Sequence, residues 1–148
     1  MIKNQQSIWL NPKDSKIIEI IDQRFLPHQL QIEQLTTWQD TEVAIREMHV
    51  RGAPLIGVTA AYGIYLACLE AKDQHKNKEA FFLEVATSLK ASRPTAVNLA
   101  WAVDRQLELI NKGKNIDKII SNALVLANKI SDEAVSYTHL TLPTICSV

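Results

Sequence analysis

Arg51-Gly52-Ala53-Pro54-Leu55-Ile56-Gly57-Val58-Thr59-Ala60-Ala61-Tyr62-Gly63-Ile64-Tyr65-Leu66-Ala67-Cys68-Leu69 is the stretch on which the fold turns. Pro54 suits the first turn of a helix, where its missing N–H costs nothing and its fixed φ is already helical. The helix is expected to run to about Lys72. From Leu55 to Leu69 the chain is apolar apart from Thr59 and two glycines. Such a run is apolar on every face, reads as too short to span a bilayer, and predicts a helix buried inside a bundle. Gly57, Gly63, Ala60, Ala61 and Ala67 keep its surface low, so that neighbouring elements can approach closely.

Downstream of this helix the helical signals continue. Asn77 is a candidate cap for a helix reaching Leu89. Pro94 and Thr95 introduce another, in which Ala96, Leu99, Ala100, Val103, Leu107 and Ile110 recur with a 3.6-residue period, and Gly113 ends it. Asn115 starts a further helix, with Ile116, Ile119, Ile120, Ala123, Ala127 and Ile130 on one stripe. Upstream, Thr37 or Asp40 caps a helix that carries Val43, Ala44 and Met48 and ends near Val50. Before that the pattern is extended. Ile8 to Leu10 forms a short strand stopped by Asn11 and Pro12, and Lys16 to Asp22 is rich in β-branched isoleucine. Leu30 to Leu35 alternates, with Leu30 and Ile32 on one side and Gln31 and Glu33 on the other. The predicted fold class is α+β: a small antiparallel N-terminal sheet followed by a helical bundle.

Bulk composition narrows the function. The chain has 148 residues, enough for one domain with a core, and is 47% apolar, which excludes disorder. Lysine plus arginine equals aspartate plus glutamate at 16 each, so no field favours a nucleic-acid backbone. Cys68 and Cys146 make neither a disulfide framework nor a zinc spacing. Met1 to Trp9 is polar and lacks the apolar core of a signal peptide, and a cytoplasmic protein with no membrane partner is expected.

The run from Ser136 to Val148, SYTHLTLPTICSV, carries no charge. No cap or periodicity joins it to the helix before it, and an extended tail or edge strand would fit. Residues 1–135 are read as the domain, and 136–148 as sequence foreign to the natural protein. His139 and Cys146 are therefore set aside as site residues.

Chemistry concentrates at helix junctions. Gly52 can take a backbone shape closed to other residues, and a helix starting at Pro54 aims its free amides into the volume reached by the Arg51 guanidinium. Spacing alone leaves two readings open, an anion site and a tight turn with a surface arginine. Arg93-Pro94-Thr95 repeats the arrangement, and two such junctions in one bundle could face a common ligand. Asn98, Trp101 and Arg105 share a second face of the following helix, as an interface, a pocket wall or a solvated surface. Cys68 reads as a buried structural thiol and His49 as a hydrogen-bonded boundary histidine, whereas His75 lies in a charged loop. No ligand pair has zinc spacing, no serine has a nucleophile elbow, and no two carboxylates stand out as acid and base.

These residues carry a family likeness. Asp22-Gln23-Arg24-Phe25-Leu26-Pro27 resembles the DQ-x-x-LP signature of the methylthioribose-1-phosphate isomerases. Ala44-Ile45-Arg46-Glu47-Met48-His49-Val50-Arg51-Gly52-Ala53-Pro54-Leu55-Ile56-Gly57 resembles their AI-R-x-M-x-V-RGAP-x-IG segment, and Ala60-Ala61-Tyr62-Gly63 continues it. Arg93-Pro94-Thr95-Ala96-Val97-Asn98-Leu99, with Trp101-Ala102, is similar to their RPTAVNL-x-WA helix. The likeness covers about Ser7 to Ala134.

The resemblance implies an enzyme of methionine salvage that converts 5-methylthioribose 1-phosphate into 5-methylthioribulose 1-phosphate without a metal or organic cofactor, and a homodimer. It places substrate binding on Arg51, Gly52, Ala53 and Arg93. The family's ring-opening and C1-to-C2 proton transfer are assigned to a cysteine in a THCNAG-type segment and a later aspartate, both in a second, Rossmann-like domain. Neither motif occurs in this sequence, so no catalytic residue is assigned here and the 148-residue chain is expected to be inactive by itself. The alternatives are a non-catalytic regulatory subunit of the translation-initiation exchange factor, which shares the fold, a ribose-1,5-bisphosphate isomerase, and a helical structural domain without a ligand.

Overall fold

The computed structural model describes residues 7–74 and 78–147, with side chains described as far as residue 135. Strands β1 (Ile8–Leu10), β2 (Ile18–Ile21) and β3 (Ile32–Leu35) form an antiparallel sheet in the order β1-β2-β3. β1 stops where expected, because the Asn11 side-chain carbonyl accepts from the Lys13 and Asp14 amides at 2.8 and 3.0 Å and turns the chain.

The face of β3 is opposite to the sequence expectation. Ile20 pairs with Glu33 and Ile18 with Leu35, and directly paired residues share a face of the sheet. Ile18, Ile20 and Leu35 are fully buried. Glu33 therefore lies on the inner side, while Ile32 and the preceding Leu30 are exposed at 46% and 59%. Inner and outer sets differ by a single residue of register, and the partner that accommodates an inward Glu33 comes from a distant part of the chain.

Helix α1 (Trp38–Arg46) begins at Thr37, whose hydroxyl accepts from the Asp40 amide while the Asp40 carboxylate accepts from the Thr37 amide, a reciprocal cap. It ends at Arg46 rather than near Val50, because Met48 takes a left-handed φ of 63° that no helix continues through. Helix α2 (Ala53–Gln74) then runs through the middle of the molecule, touching α1, α3 (Lys78–Ser92), α4 (Val97–Lys112) and α5 (Ile116–Ser147) as well as β1. At 22 residues α2 is long and apolar enough to cross a membrane, which corrects the expectation that it is too short. Every residue from Ile56 to Cys68 is buried among the surrounding elements, so protein already covers its apolar surface.

Proposed cap Asn77 and loop residue His75 lie outside the described residues. α3 continues to Ser92, beyond Leu89, and buries Phe81 and Phe82. α4 does not start at Pro94. Arg93-Pro94-Thr95 forms a turn closed by the Ala96 amide donating to the Arg93 carbonyl at 3.0 Å, and the helix begins at Val97. Proline fits the second position of such a turn as well as it fits a helix start. Gly113 caps the far end. On α5, Ile119, Ala123, Ala127 and Ile130 are buried as the stripe predicts. Its backbone stays helical to Ser147, so the stretch after residue 135 is neither extended tail nor edge strand.

One polar side chain ties the centre together. Gln106 of α4 is fully buried, and its amide donates to the carbonyls of Ala61 on α2 and Ala123 on α5 at 3.0 and 2.9 Å.

Candidate functional site

The segment from Met48 to Ala53 joins α1 to α2 through two left-handed residues. Gly52 has φ +92°, and nothing lies within 4 Å of where its β-carbon would be. Glycine is thus required by backbone shape and not by crowding. The Gly52 carbonyl accepts from the Ile56 amide at 3.0 Å and so closes the first turn of α2. Amides of a first turn have no carbonyl partner within their helix and carry the positive end of its dipole. Arg51, Gly52 and Ala53 are exposed beside them, and Arg51 forms no ion pair among the described residues.

Two cavities flank this helix start. The smaller, about 230 Å³, is lined by Gln23, Arg51, Gly52, Pro54 and Ser131 among others. The larger, about 480 Å³, is lined by Ala53, Pro54, Gly57, Asn98, Trp101 and Glu133, with Ile130 and Ala134 behind. Pro54 and Ala134 border both. The starts of α2 and α4 meet here: a β-carbon on Gly57 would lie 3.0 Å from the Asn98 carbonyl oxygen.

Arg51 and Gly52 thus line one cavity and Ala53 the other, whereas Arg93, half-buried in the turn before α4, lines neither. The face of Asn98, Trp101 and Arg105 is a cavity wall with a braced edge. Asn98 and Trp101 line the larger cavity. The Arg105 guanidinium stacks 4.3 Å from the centre of the Trp101 ring and donates to both Glu133 carboxylate oxygens, at 2.9 and 3.3 Å. Those hydrogen bonds hold the Glu133 carboxyl below the usual glutamate range.

Cys68 is fully buried, and burial pushes its thiol up to about 12, the behaviour of a structural cysteine. His49 is buried and hydrogen-bonded, its Nδ1 lying 2.7 Å from a Glu33 carboxylate oxygen. Sequence reasoning did not bring Asp22 to the same place. A ring nitrogen of His49 and one oxygen each from Asp22 and Glu33 lie within 4.8 Å of one another. The Arg24 side chain grips the Asp22 carboxylate at 3.0 and 2.7 Å and keeps its pKa low. The three residues are remote in sequence, and the only local hint was a glutamate on a strand otherwise rich in apolar residues.

The fold and its site define a small-sheet-and-bundle domain with an open, arginine-flanked helix start at its edge. Residues 49–141 match the Initiation factor 2 subunit family. The chain belongs to that family. It is 44% identical over 130 residues to the methylthioribose-1-phosphate isomerase of Desulfatibacillum aliphaticivorans, covering 88% of this chain and 35% of that protein. It is likewise 44% identical over 128 residues to the same-named protein of Desulfosudis oleivorans, covering 86% and 34%. Among solved structures it superposes on 5-methylthioribose 1-phosphate isomerase from Pyrococcus horikoshii OT3 with a TM-score of 0.75 at 35% identity, covering 86% of this chain and 36% of that one. It superposes on translation initiation factor eIF-2B subunit delta from A. fulgidus with the same TM-score at 31% identity and the same coverage. The chain spans about a third of the length of these relatives, 35% and 34% of the two isomerases above.

Proposed function

We propose that this chain is the N-terminal part of a cytoplasmic, homodimeric methylthioribose-1-phosphate isomerase and supplies one side of its sugar-phosphate site. The observation that carries the reading is the Arg51–Pro54 junction. There a left-handed Gly52 holds the first turn of α2 open beside two cavities, next to a guanidinium that forms no ion pair among the described residues. Arg51 and the first-turn amides bind the phosphate, and Gly52 and Ala53 let the substrate approach the main chain. The resemblance also assigns Arg93, which stands in the turn before α4 and lines neither cavity, so its share in binding is not supported by this geometry.

The substrate's phosphate sits on the anomeric oxygen, so ring opening needs a proton delivered to the ring oxygen before a proton moves between C1 and C2. Cys68 does not serve this chemistry, because its thiol is buried and stays protonated. The acid and base belong to a further part of the protein, and the 148-residue chain turns over no substrate alone. The larger cavity beside Ala53 supports the methylthio sugar over a bisphosphate. Its lining sets Trp101, Pro54, Ile130 and Ala134 beside Asn98 and the Glu133 carboxylate and contains no cation, which disfavours a second phosphate and leaves an apolar wall for a C5 substituent.

A regulatory subunit of the initiation factor is the second reading, favoured by the likeness to the A. fulgidus protein. Reading the source gene through and beyond the codon for Ser136 separates the two. The isomerase reading expects an in-frame THCNAG-type segment and a later aspartate, with SYTHLTLPTICSV replaced. A natural continuation lacking both residues would favour the regulatory subunit.

A further inference from the structure

Asp22 and Gln23 follow β2 and lead into a single 3-10 turn, Gln23–Phe25. Asp22 is only 3% exposed, and its carboxylate caps the turn, accepting from the Arg24 amide at 3.0 Å and from the Arg24 side chain at 3.0 and 2.7 Å. The Gln23 amide donates to the His49 carbonyl at 2.8 Å, which ties this turn to the segment that carries Arg51. The Gln23 carbonyl accepts from the Leu26 amide at 3.4 Å. Both main-chain groups are engaged, whereas the half-buried side-chain carboxamide makes no hydrogen bond among the described residues. It is the free polar group that Gln23 brings to the smaller cavity.

The lining of that cavity suits an anion. Arg51 is its one charged lining residue, Ser7, Gln23 and Ser131 are polar and neutral, and no carboxylate is among them. The larger cavity, by contrast, includes Glu133. Ser131 is 5% exposed and stands on α5, which the Tyr62 hydroxyl of α2 secures by donating to Asn128 at 2.6 Å. At about 230 Å³ against about 480 Å³, the smaller cavity fits the phosphoryl end of a substrate better than a whole sugar phosphate. A phosphate monoester carries close to two negative charges and three strong acceptor oxygens. Arg93 lines neither cavity, so one guanidinium leaves oxygens for neutral donors to satisfy.

We propose that Gln23 is a substrate-binding residue, its carboxamide NH₂ donating to a phosphate oxygen beside Arg51. A glutamine amide has two N–H donors and no charge, and its hydrogen bond to an ionised oxygen is stronger than one between neutral groups. Asp22 is a positioning residue: it holds the turn from which Gln23 reaches the cavity. The inference rests on the reading of the Arg51 junction as a phosphate site.

Titration of the 148-residue protein with inorganic phosphate at constant ionic strength, followed through the Gly52 and Ala53 amides by ¹⁵N NMR, tests it. Saturable binding is expected in the parent, weakened about tenfold by Gln23→Ala, the scale of one lost hydrogen bond to a charged group. Gln23→Glu should weaken it further, because a carboxylate repels the anion, while Gln23→Lys should bind at least as tightly as the parent. Thermal unfolding confirms that each variant folds, and should one fail, the other two decide. Binding that Arg51→Ala weakens and the folded Gln23 variants leave unchanged overturns the role of Gln23 and keeps the phosphate site. Equal weakening by Gln23→Glu and Gln23→Lys would mark a structural role and overturn it too. No saturable binding in the parent overturns the phosphate reading and this inference with it.

Discussion

Gly63 of α2 and Thr41 of α1 are packed so closely that a β-carbon on residue 63 would sit 2.4 Å from the Thr41 hydroxyl oxygen and 3.3 Å from its β-carbon. Thr41 is fully buried, and its hydroxyl donates to the Trp38 carbonyl at 2.6 Å, so it has little freedom to retreat. Gly63→Ala is expected to destabilise the domain by about 1–3 kcal/mol, the range for overpacking a filled interior. In a Thr41→Ala background the same change should cost less, because the opposing atom is gone. A double-mutant cycle by urea unfolding reads this coupling directly, and additive costs would show that the two helices do not meet as described.

Gln106 makes a second prediction about the core. Its two acceptors are carbonyls within helices and keep their helical hydrogen bonds when the side chain is removed. Its own Oε1 is buried and has no hydrogen-bond partner among the described residues. Gln106→Met fills similar volume and removes an orphaned acceptor, and should change stability by less than about 1 kcal/mol. Gln106→Ala leaves a cavity among α2, α4 and α5 and should cost about 2–4 kcal/mol. Equal losses in both variants would mean that the bridging hydrogen bonds matter more than the packing.

The Cys68 thiol is pushed up to about 12 from its ordinary 9.0 by burial. A folded-state value above the unfolded one means that the contribution is fully present below about pH 9 and lost as pH rises towards 12. In a Cys146→Ser background, folded protein at neutral pH should not react with a thiol-specific reagent, whereas denatured protein should react at once. Alkaline unfolding should become shallower in Cys68→Ala. Rapid labelling of the native protein would contradict the buried position of this side chain.

Much of the architecture was legible because its signals are local. The reciprocal cap of Thr37 and Asp40, the stop at Gly113 and the buried stripe from Ile119 to Ile130 follow from residues within a turn or two of one another. What escaped depends on long-range pairing. The inner face of β3 is set by the register Ile20–Glu33, and an apolar Ile32 gives no warning that it faces outward. Pro94 fits both a turn and a helix start, and only the hydrogen bond from the Ala96 amide to Arg93 distinguishes them.

The candidate site divides in the same way. The Arg51-Gly52-Ala53-Pro54 junction is contiguous and could be read directly. That Arg93 stands apart from the cavities, and that Asp22 joins Glu33 and His49, could not be read before the sheet was folded.

The central claim is that the Arg51 junction is half of an isomerase site. It is tested by following 5-methylthioribose 1-phosphate by phosphorus NMR with the full product of the source gene, beside its Arg51→Ala variant. Conversion to the ketose phosphate by the parent protein is expected. A fall in kcat/KM of about 100-fold or more is expected in the variant, the loss of roughly 3 kcal/mol that follows removal of a charged phosphate contact. Absence of conversion by the folded parent protein, or full activity in Arg51→Ala, would contradict it.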